Sequence, residues 1–272
     1  MIVFPKAKIN IGLRITGKRP DGYHDIETLF YPVNLSDALE FVTATDLLNA
    51  DALTVTGINT GSKTEDNLIM KTVNKLRENY LFPWLRIHLH KAIPVGAGLG
   101  GGSSDAACLL KSINRWFELD IDNPTLKTIA LELGSDCPFF IDSVPAFATG
   151  RGEILQTIKP VLTSYYLLLV NPGISINTRE AYSNCKPERP STTLLDLAEL
   201  PATEWKKLII NDFEDFAFRK HPIIGEIEEE LYSSGALFSS MSGSGSCVYG
   251  IFSDKPGIPE KLKNLVIYEG II

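Results

Sequence analysis

The sequence predicts an α+β protein in two lobes. Three observations carry that expectation. Strands and helices come in mixed runs rather than in strict alternation. Two helices follow one another after a glycine-rich loop, where a dinucleotide-binding fold needs a strand. Lys159-Pro160 interrupts the pattern between two apolar stretches, dividing an N-terminal domain, residues 1–160, from a C-terminal domain, residues 161–272. The chain's 272 residues, 44% of them apolar, suffice for a full core in each.

From Lys8 to Arg14 the pattern alternates, with Ile9, Ile11, Leu13 and Ile15 on one face and Lys8, Asn10, Gly12 and Arg14 on the other. That reads as a strand with one buried face. The turn Arg19-Pro20-Asp21-Gly22 follows, then Tyr23-His24 and a strand from Thr28 to Val33. Leu39–Thr43 and Leu53–Val55 read as short strands, and Asp66-Asn67 as the cap of a helix over Leu68–Tyr80. Leu85, Ile87 and Leu89 alternate with Arg86, His88 and His90, a strand running into the glycine-rich loop. A helix is expected from Ala106 to Phe117, and another from Thr125 to Leu133, with Asp122 or Asn123 as cap and Pro124 in its first turn. Beyond the boundary, the apolar run Tyr165–Val170 predicts a buried strand. Thr193–Leu197, Trp205–Ile210 and Pro222–Ser233 predict helices. Ala236–Phe252 predicts two strands around Ser242-Gly243-Ser244-Gly245-Ser246, and a short helix is expected between Pro259 and Leu265.

The loop itself is the strongest chemical signal. Five glycines fall within seven residues, Gly96 to Gly102, and Ser103 and Ser104 follow at the start of a helical run. Glycine lets the backbone bring its N–H groups close to a ligand, and a helix N-terminus offers unpaired N–H groups and partial positive charge. Together they make a phosphate socket. No lysine closes the loop, so it is not a Walker A sequence.

A net charge of −7 argues against nucleic acid as a main partner. Cys108, Cys137, Cys185 and Cys247 are widely spaced, which disfavours zinc and a disulfide framework. No leader pattern and no run of eighteen apolar residues occurs, so a cytoplasmic protein without a membrane partner is expected. His88 and His90 share a strand face with no third metal ligand evident and read as a solvent-facing pair, and Cys137, with no evident base, reads as a buried structural cysteine.

The ordered segments Ala7-Lys8-Ile9-Asn10-Ile11-Gly12-Leu13, Asp21-Gly22-Tyr23-His24, Asp66-Asn67-Leu68-Ile69, Pro94–Ala107, Leu133–Phe140, Gly150-Arg151-Gly152-Glu153 and Met241–Ser246 resemble the GHMP kinase superfamily. The resemblance implies a two-lobed GHMP kinase fold. Its N-terminal lobe would look like ribosomal protein S5 domain 2 with a left-handed βαβ crossover, its C-terminal lobe would be ferredoxin-like, and the active site would lie in the cleft between. It also implies ATP as co-substrate, Mg²⁺, and a small-molecule alcohol as acceptor, with no protein partner. The Gly-Tyr-His turn with Gly-Gly-Gly-Ser-Ser-Asp-Ala-Ala implies an acceptor carrying a cytidine diphosphate on methylerythritol, phosphorylated at its 2-hydroxyl.

By the same resemblance Asp136 is the catalytic base and Lys8 its electrostatic partner. ATP would be held by Pro94, Val95, Gly96, Ala97, Gly98, Leu99, Gly100, Gly101, Gly102, Ser103 and Ser104, with Asn67 and Lys91 on the adenine side. Asn10, Tyr23, His24 and Tyr182 would hold the cytidine end. The metal ligands stay open between Ser103 and Ser104. A turn cap for Asp136, a solvated lysine for Lys8 and a plain turn for His24 are the competing structural readings. At the level of function the alternatives are another GHMP kinase of mevalonate, homoserine or galactose type, or a nucleotide-binding module without chemistry.

Overall fold

The computed structural model describes residues 1–44, 50–61 and 63–272. The strands are β1 (Ile2–Val3), β2 (Lys6–Lys18), β3 (His24–Ser36), β4 (Ala38–Thr43), β5 (Ala52–Gly57), β6 (Leu85–Lys91), β7 (Ala146–Thr149), β8 (Ile154–Thr157), β9 (Tyr166–Val170), β10 (Phe238–Met241), β11 (Val248–Phe252) and β12 (Val266–Ile271). The helices are α1 (Leu68–Arg77), α2 (Gly101–Trp116), α3 (Asn123–Leu133), α4 (Cys137–Asp142), α5 (Thr178–Ser183), α6 (Leu194–Ala198), α7 (Glu214–Lys220) and α8 (Pro222–Ser233). They form two compact units, neither of them one stretch of chain. The first holds Met1–Ala7, Leu35–Val95 and Gly100–Ser143; the second holds Lys8–Asn34, Gly96–Leu99 and Val144–Ile272.

In the first unit a sheet of order β1-β4-β6-β5 carries helices α1 to α4. Strand β6 is buried and exposed at alternate residues, as its sequence requires. Leu85, Ile87 and Leu89 join Leu39 and Phe41 of β4 in the core, and Trp116 of α2 meets Phe41 edge-on at 6.4 Å. Strand β5 pairs parallel to β6, and α1 is the connection between them. Asn67 caps α1 by accepting from the Ile69 N–H, and Asp122 caps α3 by accepting from the Thr125 N–H.

The second unit holds two sheets, β2-β3-β7-β8 and β10-β11-β9-β12. Buried β9 lies between β11 and β12, antiparallel to both, and α8 packs on β10 and β11. Leu13, Ile15, Phe213, Ile227 and Val248 belong to the core of this unit.

Several expectations are corrected. Strand β2 has no solvent face: Lys8 and Asn10 are 3% and 2% exposed, because further chain covers the side that the alternation leaves polar. Helix α2 begins at Gly101 rather than Ala106, since tertiary placement overrides the poor helix propensity of Gly, Ser and Asp. The helix expected from Trp205 is a 3-10 turn over Ala202–Lys207, and that near Pro259 is a 3-10 turn over Glu260–Leu262. Strands β1, β7, β8 and β12 and helices α4, α5 and α7 were not foreseen.

Candidate active site

The second unit supplies a buried cation and a locked loop. The Lys8 ammonium donates to the Asn10 side-chain oxygen and, at 3.0 Å, to the Gly98 carbonyl. It lies 5.0 Å from the centre of the Phe30 ring. A buried ammonium needs such partners to offset lost hydration. Asn10 in turn donates to Thr28 Oγ1 at 2.9 Å, so its side chain positions Lys8. Its own N–H donates to Ser242 Oγ at 3.1 Å, and the Ser242 hydroxyl donates to the Gly98 carbonyl at 2.9 Å. The Lys8 N–H donates to the Leu99 carbonyl and the Cys247 N–H to the Ala97 carbonyl. Residues Gly96–Leu99 are thus pinned by strand β2 and by the Gly/Ser loop after β10. Gly98 has φ +78°, and a Cβ there would stand 1.8 Å from the Ser242 carbonyl oxygen, so only glycine fits. Asn211, which the sequence reading missed, braces the Gly/Ser loop by donating to the carbonyls of Met241 and Gly243 at 2.7 and 2.8 Å.

The same unit holds an aromatic group. His24 and Tyr182 stack with centroids 5.0 Å apart and planes 18° apart, and Phe213 meets Tyr182 edge-on at 4.9 Å. Tyr23 is 55% exposed, with the Arg151 guanidinium 4.9 Å from its ring centre. Of the three aromatic residues the resemblance pointed to, His24 and Tyr182 are stacked and half-buried, and Tyr23 is exposed.

The first unit supplies the helix end. Gly100 enters α2 at φ +69°, and the first closing bond is the Ser104 N–H to the Gly100 carbonyl. The N–H groups of Gly101, Gly102 and Ser103 precede that bond, the unpaired donors expected of a helix start. Ser103 is half-buried and Ser104 is 2% exposed, which leaves Ser103 as the hydroxyl able to meet a ligand. Asp136 stands at the start of α4 and is half-buried; its side chain makes no cap hydrogen bond there. A side-chain cap of α4 is therefore not what Asp136 provides. The two helix starts adjoin: a Cβ on Gly134 would stand 3.4 Å from Cys137 Sγ and 3.9 Å from Ser103 Oγ. Burial pushes the Cys137 thiol up to about 11, which makes it a poor nucleophile, as expected.

Lys91 and Asn67 are both engaged within the first unit. The Lys91 ammonium is 3% exposed and is paired with Asp37 and, at 2.8 Å, with Asp105. It faces carboxylates, not an open adenine site. Asn67 spends its side-chain oxygen on the α1 cap. Asp37 lies outside the quoted motifs and Asp105 inside one, and neither's pairing is legible locally, because Lys91 lies 54 and 14 residues away. Burial pushes the Asp105 carboxyl up to about 7 against the pull of Lys91, and Asp37 adds to the rise. His88 and His90 are exposed, as foreseen, and share Thr56 Oγ1 as hydrogen-bond partner. Among the described residues no three His, Cys, Asp or Glu side chains gather to hold a metal, and no helix is long and apolar enough to cross a membrane.

Residues 67–150 match the model of the GHMP kinases N terminal domain, and residues 196–265 match the GHMP kinases C terminal model. A protein of Parabacteroides distasonis, named 4-diphosphocytidyl-2-C-methyl-D-erythritol kinase, is 50% identical over 256 residues, covering 94% of this chain and 93% of its own. One of the same name from Bacteroides thetaiotaomicron is 48% identical, covering 96% and 95%. Among solved structures, a 4-(cytidine 5'-diphospho)-2C-methyl-D-erythritol kinase superposes with a TM-score of 0.77 at 31% identity, over 92% of this chain and 90% of that one. The mevalonate kinase of Methanococcus jannaschii, at TM-score 0.66 and 12% identity, shares the fold.

Proposed function

The chain belongs to the 4-diphosphocytidyl-2-C-methyl-D-erythritol kinase family of GHMP kinases, and from that membership we propose its reaction in full. It transfers the γ-phosphoryl group of ATP to the 2-hydroxyl of 4-(cytidine 5'-diphospho)-2-C-methyl-D-erythritol, in non-mevalonate isoprenoid biosynthesis. The observation that carries the proposal is the 50% identity, over 94% of the chain, to a kinase of that name.

The chain's own residues divide the chemistry. The Asp136 carboxylate takes the proton of the 2-hydroxyl as that oxygen bonds to the γ-phosphorus. The bond from phosphorus to the bridging oxygen breaks, and ADP leaves with the electron pair. Lys8 offsets charge on the transferring phosphoryl group, and Gly98 with Asn10 sets where its ammonium points. The first turn of α2 and the loop from Pro94 to Gly100 hold the phosphates through N–H groups. Tyr23, His24 and Tyr182 hold cytosine by stacking and edge contacts. Asn67 flanks the adenine.

Magnesium fits this donor set. A Mg²⁺ carried on nucleotide phosphates keeps several waters and needs only one or two protein oxygens, so a closed cage of side chains is not required. Ser103, half-buried at the start of α2, would supply one. The ion would supply positive charge against the negative charge of the phosphates.

The test is ATP turnover with the diphosphocytidyl substrate, beside mevalonate, homoserine and galactose. The proposal predicts turnover of the cytidine compound alone, with inhibition by cytidine nucleotides. Turnover of another alcohol, or ATP binding without any transfer, contradicts it.

A further inference from the structure

Lys91 lies beneath the phosphate-binding helix rather than beside it. A Cβ on Gly101, the first residue of α2, would stand 3.2 Å from Lys91 Nζ and 2.9 Å from Ile93 Cγ2. The ammonium is gripped from two sides. Asp105, in the second turn of α2, accepts one bond at 2.8 Å; Asp37, between β3 and β4, accepts another. Asp37 also accepts from the N–H groups of Ala92 and Ile93, at 2.6 and 2.9 Å, which ties it to the chain leaving β6. All three charged side chains are at most 3% exposed.

This cluster is costly and incomplete. Two carboxylates face one ammonium in the interior, and Asp105 Oδ1 is buried with no hydrogen-bond partner among the described residues. A buried ion pair adds little net stability over apolar packing, and an unpartnered buried oxygen subtracts from it. Stability alone gives no account of such an arrangement directly under the residues proposed to meet phosphate. What the cluster does supply is a fixed distance between the end of β6 and the first two turns of α2, with Gly101 allowing the close approach.

We infer that Asp105 and Lys91 are positioning residues for the nucleotide: their ion pair, anchored by Asp37, holds the first turn of α2 where its N–H groups meet phosphate. The inference rests on the reading of the α2 start as an ATP site. It replaces an adenine contact for the Lys91 side chain with a role exerted through the helix.

The experiment compares wild type, Asp105→Asn and Gly101→Ala by titration with a non-hydrolysable ATP analogue, by melting temperature, and by kcat and both KM values. Asp105→Asn keeps the Lys91–Asp37 pair and the side-chain shape. Gly101→Ala keeps all three charges and adds one methyl against Lys91 and Ile93. Both are expected to weaken the analogue and to raise KM for ATP roughly ten-fold or more, since small displacements of a positioned group are expensive. KM for the alcohol is expected to stay at the wild-type value. Folded variants that melt earlier yet bind the analogue as wild type does would overturn the inference and leave the ATP reading standing. Wild type that binds no analogue would overturn the ATP reading and this inference with it. Because the two variants perturb the cluster by different means, Gly101→Ala decides the matter where Asp105→Asn does not fold.

Discussion

Lys8 and Gly98, ninety residues apart in sequence, are joined by a 3.0 Å hydrogen bond from the ammonium to the carbonyl oxygen. The same oxygen accepts from the Ser242 hydroxyl at 2.9 Å. One peptide group of the glycine loop therefore fixes the proposed electrostatic residue and the C-terminal Gly/Ser loop together. Lys8→Met removes the ammonium and leaves Ser242 holding the loop. It is expected to lower kcat by about 10²–10³, the range for loss of one positioned charge stabiliser, with ATP-analogue affinity much less affected. Steady-state kinetics beside analogue titration checks this.

Gly98→Ala is expected to be among the most damaging single changes in the chain. Its methyl would meet the Ser242 carbonyl at 1.8 Å, with φ at +78°. Backbone faces backbone there, so no side chain can swing aside. A loss of about 3 kcal/mol or more is expected, read as a lowered urea midpoint. Ser242→Ala, which removes the bond to the Gly98 carbonyl and leaves the Asn10 N–H unpaired, is expected to cost about 1–3 kcal/mol.

Tyr182 separates stacking from hydrogen bonding. Tyr182→Phe keeps the ring that stacks on His24 and meets Phe213, and is expected to hold KM for the cytidine substrate near wild type. Tyr182→Ala loses the platform and is expected to raise that KM by a factor corresponding to about 1–3 kcal/mol, with KM for ATP unchanged.

A half-buried acidic pair sets a pH dependence. Burial pushes the Glu214 and Glu228 carboxyls up to about 7 and about 8, and Glu214 adds charge repulsion at Glu228. Asp215, Lys206, Glu229, Tyr232 and Tyr249 are the other titratable groups near them. A carboxyl whose folded value is raised binds its proton more tightly folded than unfolded. Its stabilising contribution is therefore whole below the ordinary glutamate value and is lost as pH rises through the folded value. The pair titrates as a unit, and melting temperature should fall between about pH 5 and 8, with a slope of up to about 1.4 kcal/mol per unit for each group. Glu214→Gln keeps an acceptor for the Met241 N–H and Ser240 hydroxyl and is expected to flatten that fall.

What the sequence made legible was local. The alternation in β6, the Asn67 and Asp122 caps and the apolar run of β9 each follow from residues within a few positions. The GHMP resemblance named the loop, Lys8 and Asp136. What stayed hidden depends on distant chain. The alternation at Lys8 correctly paired it with Asn10 but gave no sign that their side of β2 is covered. The α2 start looked like loop because Gly, Ser and Asp disfavour helix, yet the fold uses them there for close approach to Lys91 and Ile93. Strand β12 carries half-buried residues next to polar ones, and only its pairing with β9 makes it a strand.

The most direct test of the central claim is the single-turnover rate of phosphoryl transfer from ATP to the diphosphocytidyl substrate in Asp136→Asn, with ATP-analogue affinity measured on the same sample. The account predicts a fall of about 10²–10⁴ with nucleotide affinity preserved, as for loss of a general base. A wild-type transfer rate in that variant would contradict it.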